Sequence, residues 1–220
     1  MDLYIVFGSE TKLLKKLFSR KDTFFIRIFN TTQPSPQNNC VDVNSFDLFQ
    51  ENFIELQKKI QPRKIIFLGA AFITQNKLFF QEKEEDIHKS LLVNIHSYTK
   101  YVHFLLPHMI KIRSGQFIYL SSFRSSTTCR GVSLYSASKA FGEKFFEVIG
   151  KENAAFGVYS ASIKMGYFDG RMTNIMGEEK IKQFKLSIGN RSLGSSEDLL
   201  KSIEYIIQNN YTNGGTIDLT

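Results

Sequence analysis

The sequence predicts an α/β protein with a central parallel sheet of about seven strands between two helical layers, a doubly wound three-layer sandwich. Two observations predict this class. Short apolar runs alternate along the chain with amphipathic stretches, which is the pattern of parallel strands joined by crossover helices. The 220 residues are 42% hydrophobic, which is enough for a sizeable core in one domain. We therefore expect a single domain over residues 1–220.

The first half of the chain is predicted to contain four strands and two helices. Apolar residues recur on one face of residues 13–18 and again over 45–60, at the spacing of amphipathic helices. Residues 31–39 are expected to form a loop, because proline, asparagine and threonine are frequent there. Short apolar runs predict the strands of this half, at residues 3–7, 23–29, 40–43 and 64–68.

The second half is predicted to add three strands and three helices. The segment from about residue 82 to 112 has a helical pattern, and a helix that contains Tyr135 extends to about residue 151. Ser195 or Ser196 is expected to cap a helix that ends near residue 208. The strands of this half are predicted at residues 116–121, 157–163 and 216–219.

The chain carries 28 basic and 21 acidic side chains, and the resulting formal charge of +7 attracts anionic partners. The lysines are dispersed along helix-like stretches, and no nucleic-acid-binding module is recognisable, so we predict no nucleic-acid partner. A phosphorylated cofactor or an acidic substrate is the favoured anion. Most of the lysines are expected to lie on solvated helix faces.

The two cysteines, Cys40 and Cys129, show neither metal-ligand spacing nor a disulfide framework, which is typical of a reducing compartment. The N-terminal residues lack the basic flank of an export signal, and no apolar run is long enough to span a membrane. The four histidines do not have the spacing of a zinc motif. We therefore predict a cytoplasmic protein without a membrane span and without a metal site.

The most informative feature of the chain is the spacing of three polar residues. Tyr135 lies 13 residues after Ser122, and Lys139 follows Tyr135 by four residues, so that the two share one face of a helix. We expect the Lys139 ammonium to favour the ionised phenol of Tyr135, which would make it a proton donor and acceptor near neutral pH. Ser122 ends a predicted strand, from which its hydroxyl would polarise a substrate carbonyl.

Together with Asn94, which lies 28 residues before Ser122, these residues resemble the short-chain dehydrogenase/reductase family. The resemblance covers nearly the whole chain and implies a Rossmann-like fold with a catalytic tetrad of Asn94, Ser122, Tyr135 and Lys139. It also implies that Lys139 holds the nicotinamide ribose and that Asn94 holds a water in a proton relay. The alternative is structural: Asn94 interrupts a helix, Ser122 caps a strand, and Tyr135 is an ordinary half-buried aromatic.

The resemblance places an NAD(P) cofactor at the carboxyl ends of the strands. The family's turn after the first strand has three glycines, but only Gly8 is present here, and Lys12 and Leu14 occupy the other two places. Either the charge of Lys12 replaces backbone contacts to the phosphates, or cofactor binding is weakened. The residues expected to bind the cofactor are Gly8, Ser9, Thr11, Lys12, Asn30, Asp42, Val43, Gly69, Ala70, Tyr135, Lys139, Met165 and Gly166.

The choice between the two cofactors is expected to depend on the end of the second strand. An acidic side chain there would bind the ribose hydroxyls of NAD, but the sequence at residues 30–32 is Asn-Thr-Thr. With Lys12 nearby, and Arg20 or Arg27 as further candidates, this favours NADP over NAD. The sequence does not decide whether Arg27 points towards the cofactor.

The resemblance implies hydride transfer between nicotinamide and a carbonyl or hydroxyl carbon, as in carbonyl reductases and alcohol dehydrogenases. Residues 166–194 are expected to form a substrate lid in which basic and apolar side chains are mixed. Such a lid suits a small keto compound, or an acyl-carrier-linked or nucleotide-sugar-linked substrate. We also expect a homodimer or homotetramer. The alternative is a non-catalytic relative that serves as a binding or partner subunit, for which the altered glycine turn is the main argument.

Overall fold

All the apolar runs that were predicted as strands form strands in the computed structural model, which describes residues 1–8, 12–29, 40–70, 77–169, 186 and 192–220. Strands β1 to β7 cover Asp2–Phe7, Thr23–Phe29, Cys40–Asp42, Lys64–Ala70, Gly115–Ser122, Val158–Met165 and Gly215–Leu219. Within these described ranges they form one sheet in the order β3-β2-β1-β4-β5-β6-β7. Every adjacent pair is parallel.

Helices lie on both faces of this sheet, as the doubly wound class requires. Helices α1 to α5 cover Phe46–Ile60, Glu84–Leu91, Ser97–Ile112, Ser133–Asn153 and Ser196–Gln208. The last of these begins with a capping box, in which Ser195 and Asp198 each bind the other's backbone N–H. Among the described residues, no helix is both long enough and apolar enough to span a bilayer.

The core is divided into two layers because side chains alternate along each strand. In β1, Leu3, Ile5 and Phe7 pack into the cluster that contains buried residues of α1, α3 and α4. Tyr4 and Val6 point to the opposite face, where buried residues of α5 complete a second cluster. Because helices cover both faces of this parallel sheet, the side chains on both sides of each strand are mostly apolar. The strands therefore appear in the sequence as nearly continuous apolar runs.

Two helical segments differ from the predicted α-helices. Residues Lys12–Ser19 form a 3-10 helix, which still buries Leu14 and Leu17 against the sheet. The long segment before β5 is interrupted by a π-helical turn at Leu92–His96, which joins α2 to α3. Such turns place one extra residue in the helix and often occur at functional sites.

The end of β4 also differs from the prediction. The strand was predicted to end at residue 68, but Gly69 and Ala70 also lie inside β4 and pair with Tyr119 and Leu120 of β5. A Cβ added to Gly69 would lie 2.5 Å from a ring carbon of Tyr98. The absence of a side chain at residue 69 is therefore explained by the packing of α3 on the sheet.

Helix α4 approaches β5 closely at Gly142. A Cβ at this position would lie 2.2 Å from the Cζ of Tyr119, and Tyr119 is fully buried. Because the glycine has no side chain, the aromatic ring fits between the helix and the strand. This contact fixes the distance between the helix that carries Tyr135 and the strand that ends in Ser122.

We expect the substitution Gly142→Ala to destabilise the protein by about 1–3 kcal/mol, because the added methyl group overlaps the Tyr119 ring. Helix propensity alone predicts the opposite sign, a gain of about 1 kcal/mol. Urea unfolding followed by circular dichroism distinguishes the two. The exposed substitution Glu152→Ala in the same helix serves as the control, and a higher midpoint for Gly142→Ala would contradict the close contact.

Candidate active site

The carboxyl ends of the central strands meet at one edge of the sheet, and the site is built there. The chain order reverses between β1 and β4, which are neighbours in the sheet, so the loops that follow them diverge to opposite faces. Such a crevice is where open parallel sheets bind ligands. Ser122, Met165 and Ala70 lie at the same edge as Gly8, because they end or follow parallel strands.

Ser122 and Tyr135 are brought together at this edge. Ser122 is the last residue of β5 and is buried, and its hydroxyl accepts a hydrogen bond from the backbone N–H of Arg124 at 3.3 Å. Tyr135 lies in the first turn of α4 and is half-buried. The Ser122 hydroxyl is close enough to the phenol to favour its ionised form by hydrogen bonding.

The expected effect of Lys139 on Tyr135 is not seen. Burial raises the pKa of Tyr135, and the two groups that oppose this increase are the Ser122 hydroxyl and the Arg124 guanidinium. The Lys139 Nζ lies 5.6 Å from the centre of the Tyr135 ring, and it donates a hydrogen bond to the backbone carbonyl of Leu120 instead. The spacing of four residues therefore places the two side chains on one face without pairing their polar atoms.

Lys139 is itself unusual because its ammonium is buried. Only 3% of the residue is exposed, and its Nζ lies 4.9 Å from the centre of the Tyr119 ring. Burial lowers the pKa of Lys139 to about 7, although the nearby Glu143 carboxylate favours the charged form. The lysine can thus gain or lose a proton near neutral pH, which is a common property of residues in active sites.

Glu143 is a residue of the site that sequence reasoning missed. One of its carboxylate oxygens accepts hydrogen bonds from the hydroxyls of Ser121, at 2.6 Å, and Ser125, at 2.7 Å. These two serines flank Ser122, so one oxygen fixes both sides of the segment that presents it. The sequence feature that could have identified it is its position, four residues after Lys139 on the same helix face.

Asn94 is fully buried in the π-helical turn. Its amide nitrogen lies 3.4 Å from the Ser90 hydroxyl and 3.3 Å from the Ser138 hydroxyl, and it donates to both. Ser138 in turn donates to the backbone carbonyl of Tyr135 at 2.8 Å. Asn94 is therefore connected to α4 through Ser138.

Several of the predicted cofactor residues are suitably placed along the edge. Gly8 has a φ of 72°, and a Cβ there would lie 3.0 Å from the Cβ of Ala70, so the sharp turn after β1 requires glycine. Asp42 uses one carboxylate oxygen to accept from the backbone and side chain of Asn44, at 2.8 and 2.9 Å. Val43 follows directly and is buried. These residues can fit a dinucleotide at the edge.

At the other side of the crevice, Gly166 follows β6 and donates its backbone N–H to Leu219 at 3.3 Å. A Cβ on Gly166 would lie 3.0 Å from the Cα of Thr220, so the close approach of the C-terminal residues favours glycine there. Met165 is the last residue of β6 and pairs with Leu219. Both predicted residues thus lie at the carboxyl edge.

Other predicted positions fall outside the described residues. They are Ser9, Thr11, Asn30, the side chain of Lys12 and most of the expected lid over residues 166–194. The two arginines considered for the extra phosphate of NADP are described. Arg20 forms an ion pair with Glu204 at 3.3 Å, and the Arg27 guanidinium lies 3.8 Å from the centre of the Phe18 ring.

Sequence comparison identifies relatives with named activities. A family model described as short chain dehydrogenase matches residues 34–181. The 3-oxoacyl-(acyl-carrier-protein) reductase of Chlamydia pneumoniae is 26% identical over 69% of this chain and 59% of the relative. The acetoacetyl-CoA reductase of Allochromatium vinosum is 25% identical over 75% of this chain and 67% of the relative. The chain spans roughly three fifths of the length of the first curated relatives that it matches.

Solved structures share the fold at low identity. The 3-ketoacyl-(acyl-carrier-protein) reductase of Brucella melitensis complexed with NADH has a TM-score of 0.83 at 12% identity, with 99% of this chain and 96% of that chain covered. The structure of ElxO with NADP bound has a TM-score of 0.76 at 17% identity, with the same coverage. At these identities the likeness supports the architecture alone.

We expect the Lys139 side chain to titrate at about pH 7, and its pKa to be lower in the variant Glu143→Gln. The amide oxygen still accepts the serine hydrogen bonds, but the negative charge that favours the ammonium is lost. Carbon-13 NMR of lysine labelled at Cε measures both midpoints, and the substitution Lys139→Met assigns the signal. Glu147→Gln is the matched control, because Glu147 pairs with the exposed Lys144 and Lys151. Equal midpoints in the wild-type protein, Glu143→Gln and Glu147→Gln would contradict the coupling between Glu143 and Lys139.

Proposed function

The chain belongs to the short-chain dehydrogenase family, and from this premise we propose that it is an NAD(P)-dependent oxidoreductase that reduces a carbonyl group or oxidises the corresponding alcohol. The observation that carries the proposal is the arrangement at the end of β5. There the Ser122 hydroxyl faces the phenol of Tyr135, and the buried Lys139 ammonium lies 5.6 Å from the same ring. These three groups suit proton transfer to an oxygen atom.

The reacting oxygen would lie between the hydroxyls of Ser122 and Tyr135. Ser122 would orient it by donating a hydrogen bond, and Tyr135 would supply the proton in reduction or remove it in oxidation. When bound, the nicotinamide cofactor supplies or accepts the hydride. Because burial keeps the phenol of Tyr135 protonated, the described arrangement suits Tyr135 as the acid in carbonyl reduction.

Lys139 and Asn94 would serve the same proton transfer indirectly. We expect the Lys139 ammonium to hold the hydroxyls of the nicotinamide ribose and to contribute positive charge next to Tyr135. Asn94 donates to Ser138, which binds the carbonyl of Tyr135, and this orders the first turn of α4. A water held by Asn94 in a relay towards Lys139 is part of the proposal, as the family resemblance implies.

We propose NADP as the preferred cofactor. The support is the absence of an acidic residue at positions 30–32, where a carboxylate would compete with the extra phosphate of NADP. Gly8, Asp42, Val43, Gly69 and Ala70 would hold the nucleotide along the edge from β3 to β4. Related folds have been solved with NADP and with NADH, so the preference rests on this chain's own residues.

An anionic, carrier-linked carbonyl compound is the proposed substrate class, with nucleotide-sugar-linked carbonyls and small keto compounds as the other candidates. The net charge of +7 supports an anionic substrate. The relatives are named as reductases of acyl-carrier-linked or CoA-linked compounds, which supports a carrier-linked one. Cys40 and Cys129 are free thiols, which suits the proposed cytoplasmic location. A homodimer or homotetramer is proposed from the family resemblance.

A second candidate function is a binding or partner subunit without catalysis. The observation that favours it is the turn after β1, in which Gly8 is the only one of the family's three glycines. The backbone of the remaining positions would approach the phosphates less closely. Cofactor affinity therefore decides between the two candidates.

We expect NADPH to bind with micromolar affinity, about 8 kcal/mol, and more tightly than NADH. Titration of the purified protein followed by nucleotide fluorescence measures both. The substitution Lys12→Ala is expected to weaken NADPH binding if this charge replaces the lost glycine contacts. Lys16→Ala is the control in the same 3-10 helix, because Lys16 is exposed and pairs with Glu197. The absence of binding of either nucleotide at millimolar concentration would favour the second candidate.

The substitution Tyr135→Phe is expected to reduce NADPH oxidation with acetoacetyl-CoA by about 10²- to 10⁴-fold, because the proton donor is lost. NADPH affinity is expected to change little, since the ring is kept. Absorbance at the reduced-nicotinamide band follows turnover, and the exposed substitution Tyr205→Phe is the control. Unchanged turnover in Tyr135→Phe would refute the assignment of the acid.

A further inference from the structure

Arg124 is held at the site by the residue that is proposed to orient the substrate. It lies two residues after Ser122, in the 3-10 turn Phe123–Ser125, and its backbone N–H donates to the Ser122 hydroxyl at 3.3 Å. The side chain is half-buried. The arginine and the catalytic serine therefore share one rigid segment, which Glu143 fixes by accepting from Ser121 and Ser125.

The Arg124 guanidinium has no counter-ion in the described part of the chain. No described carboxylate lies within 4 Å of it. The guanidinium carbon lies 5.5 Å from the centre of the Phe123 ring, in a cation–π contact. Arg20, by contrast, forms an ion pair with Glu204 at 3.3 Å. The donors of the Arg124 guanidinium are therefore available to an anionic ligand.

Three further observations describe the surroundings of this charge. Its field reaches the phenol of Tyr135 and favours the ionised form. The Glu143 carboxylate on α4 is already bound to two serine hydroxyls. Across the loop, Lys164 donates to the Ser126 hydroxyl at 3.3 Å and adds a second positive charge. The surroundings of Arg124 are thus poor in negative charge.

We propose that Arg124 binds a carboxylate of the substrate next to the reacting carbonyl, so that the site prefers short oxo acids over neutral ketones. The planar guanidinium donates two parallel hydrogen bonds to a carboxylate and thereby orients it. Since its backbone is attached to Ser122, this contact would also set the position of the carbonyl between Ser122 and Tyr135. The inference rests on the proposed reductase function and favours small keto compounds among the candidate substrates, because the acyl carboxyl group of a carrier-linked compound is a thioester without a negative charge.

The test compares acetoacetate with its neutral ethyl ester, as a pair of substrates that differ in the charge. With NADPH, we expect the wild-type protein to have the lower KM for acetoacetate. In Arg124→Met, the KM for acetoacetate should rise by about 10- to 100-fold, the size of one charge-assisted contact, whereas the KM for the ester should change less. Arg124→Lys should restore part of the preference. Arg130→Met, an exposed arginine of the same loop, is the control.

A second measurement does not depend on turnover. Saturation-transfer NMR of acetoacetate with the NADP-saturated protein gives its dissociation constant for the wild type and both methionine variants. Weaker binding in Arg124→Met, without reduction of either compound, would support the anion site and refute the reductase proposal. Equal constants in Arg124→Met and Arg130→Met would overturn the anion site, even if both compounds are reduced. A loss of NADPH affinity in Arg124→Met would also overturn it, because the bound anion would then belong to the cofactor.

Discussion

The close contact between α4 and β5 determines the arrangement of the site. Gly142 allows the helix to approach until the buried ring of Tyr119 fills the space between them. Once this contact is fixed, the helical repeat leaves little freedom for the neighbouring turns. Lys139 reaches the Leu120 carbonyl, and Glu143 reaches the Ser121 hydroxyl. The last residues of the strand are thus bound by two successive turns of one helix.

This packing has an electrostatic consequence. A lysine and a glutamate are held near the interior, where each charge loses hydration and needs compensation. Lys139 is compensated by one carbonyl and by the field of Glu143, which leaves its pKa at about 7. Glu143 is compensated by two hydroxyls. The positive charge that acts on Tyr135 in this structure comes from Arg124, so the phenol and the ammonium are controlled by different neighbours.

The periodicity of the sequence predicts the fold well, because a parallel sheet covered on both faces produces apolar runs of the right length. The spacing of Tyr135 and Lys139 places them on one helix face, and the strand that ends at Ser122 is confirmed. The sequence does not predict the hydrogen-bonding partners of these residues. Ser138, Glu143 and Arg124 acquire their contacts only when α4 packs on β5 and the π-helical turn. Spacing also does not specify where a long lysine side chain ends, and in the described contacts the Lys139 Nζ donates to the Leu120 carbonyl.

The altered glycine turn can be interpreted in the same physical terms. Of the family's three glycine positions, the first is kept in this chain, and its φ of 72° together with the neighbouring Ala70 explains why. The third position is Leu14, whose side chain is fully buried in a segment that forms a 3-10 helix, which is narrower than an α-helix. The tighter helix accommodates the larger side chain against the sheet. Among the described contacts, the hydrogen bonds of Ser122 and Lys139 and the ring contact of Tyr135 involve no residue of this helix. The altered turn and the proposed catalytic groups are therefore separate in the described structure, so a loss of nucleotide affinity at β1 would not by itself disturb the arrangement at the end of β5.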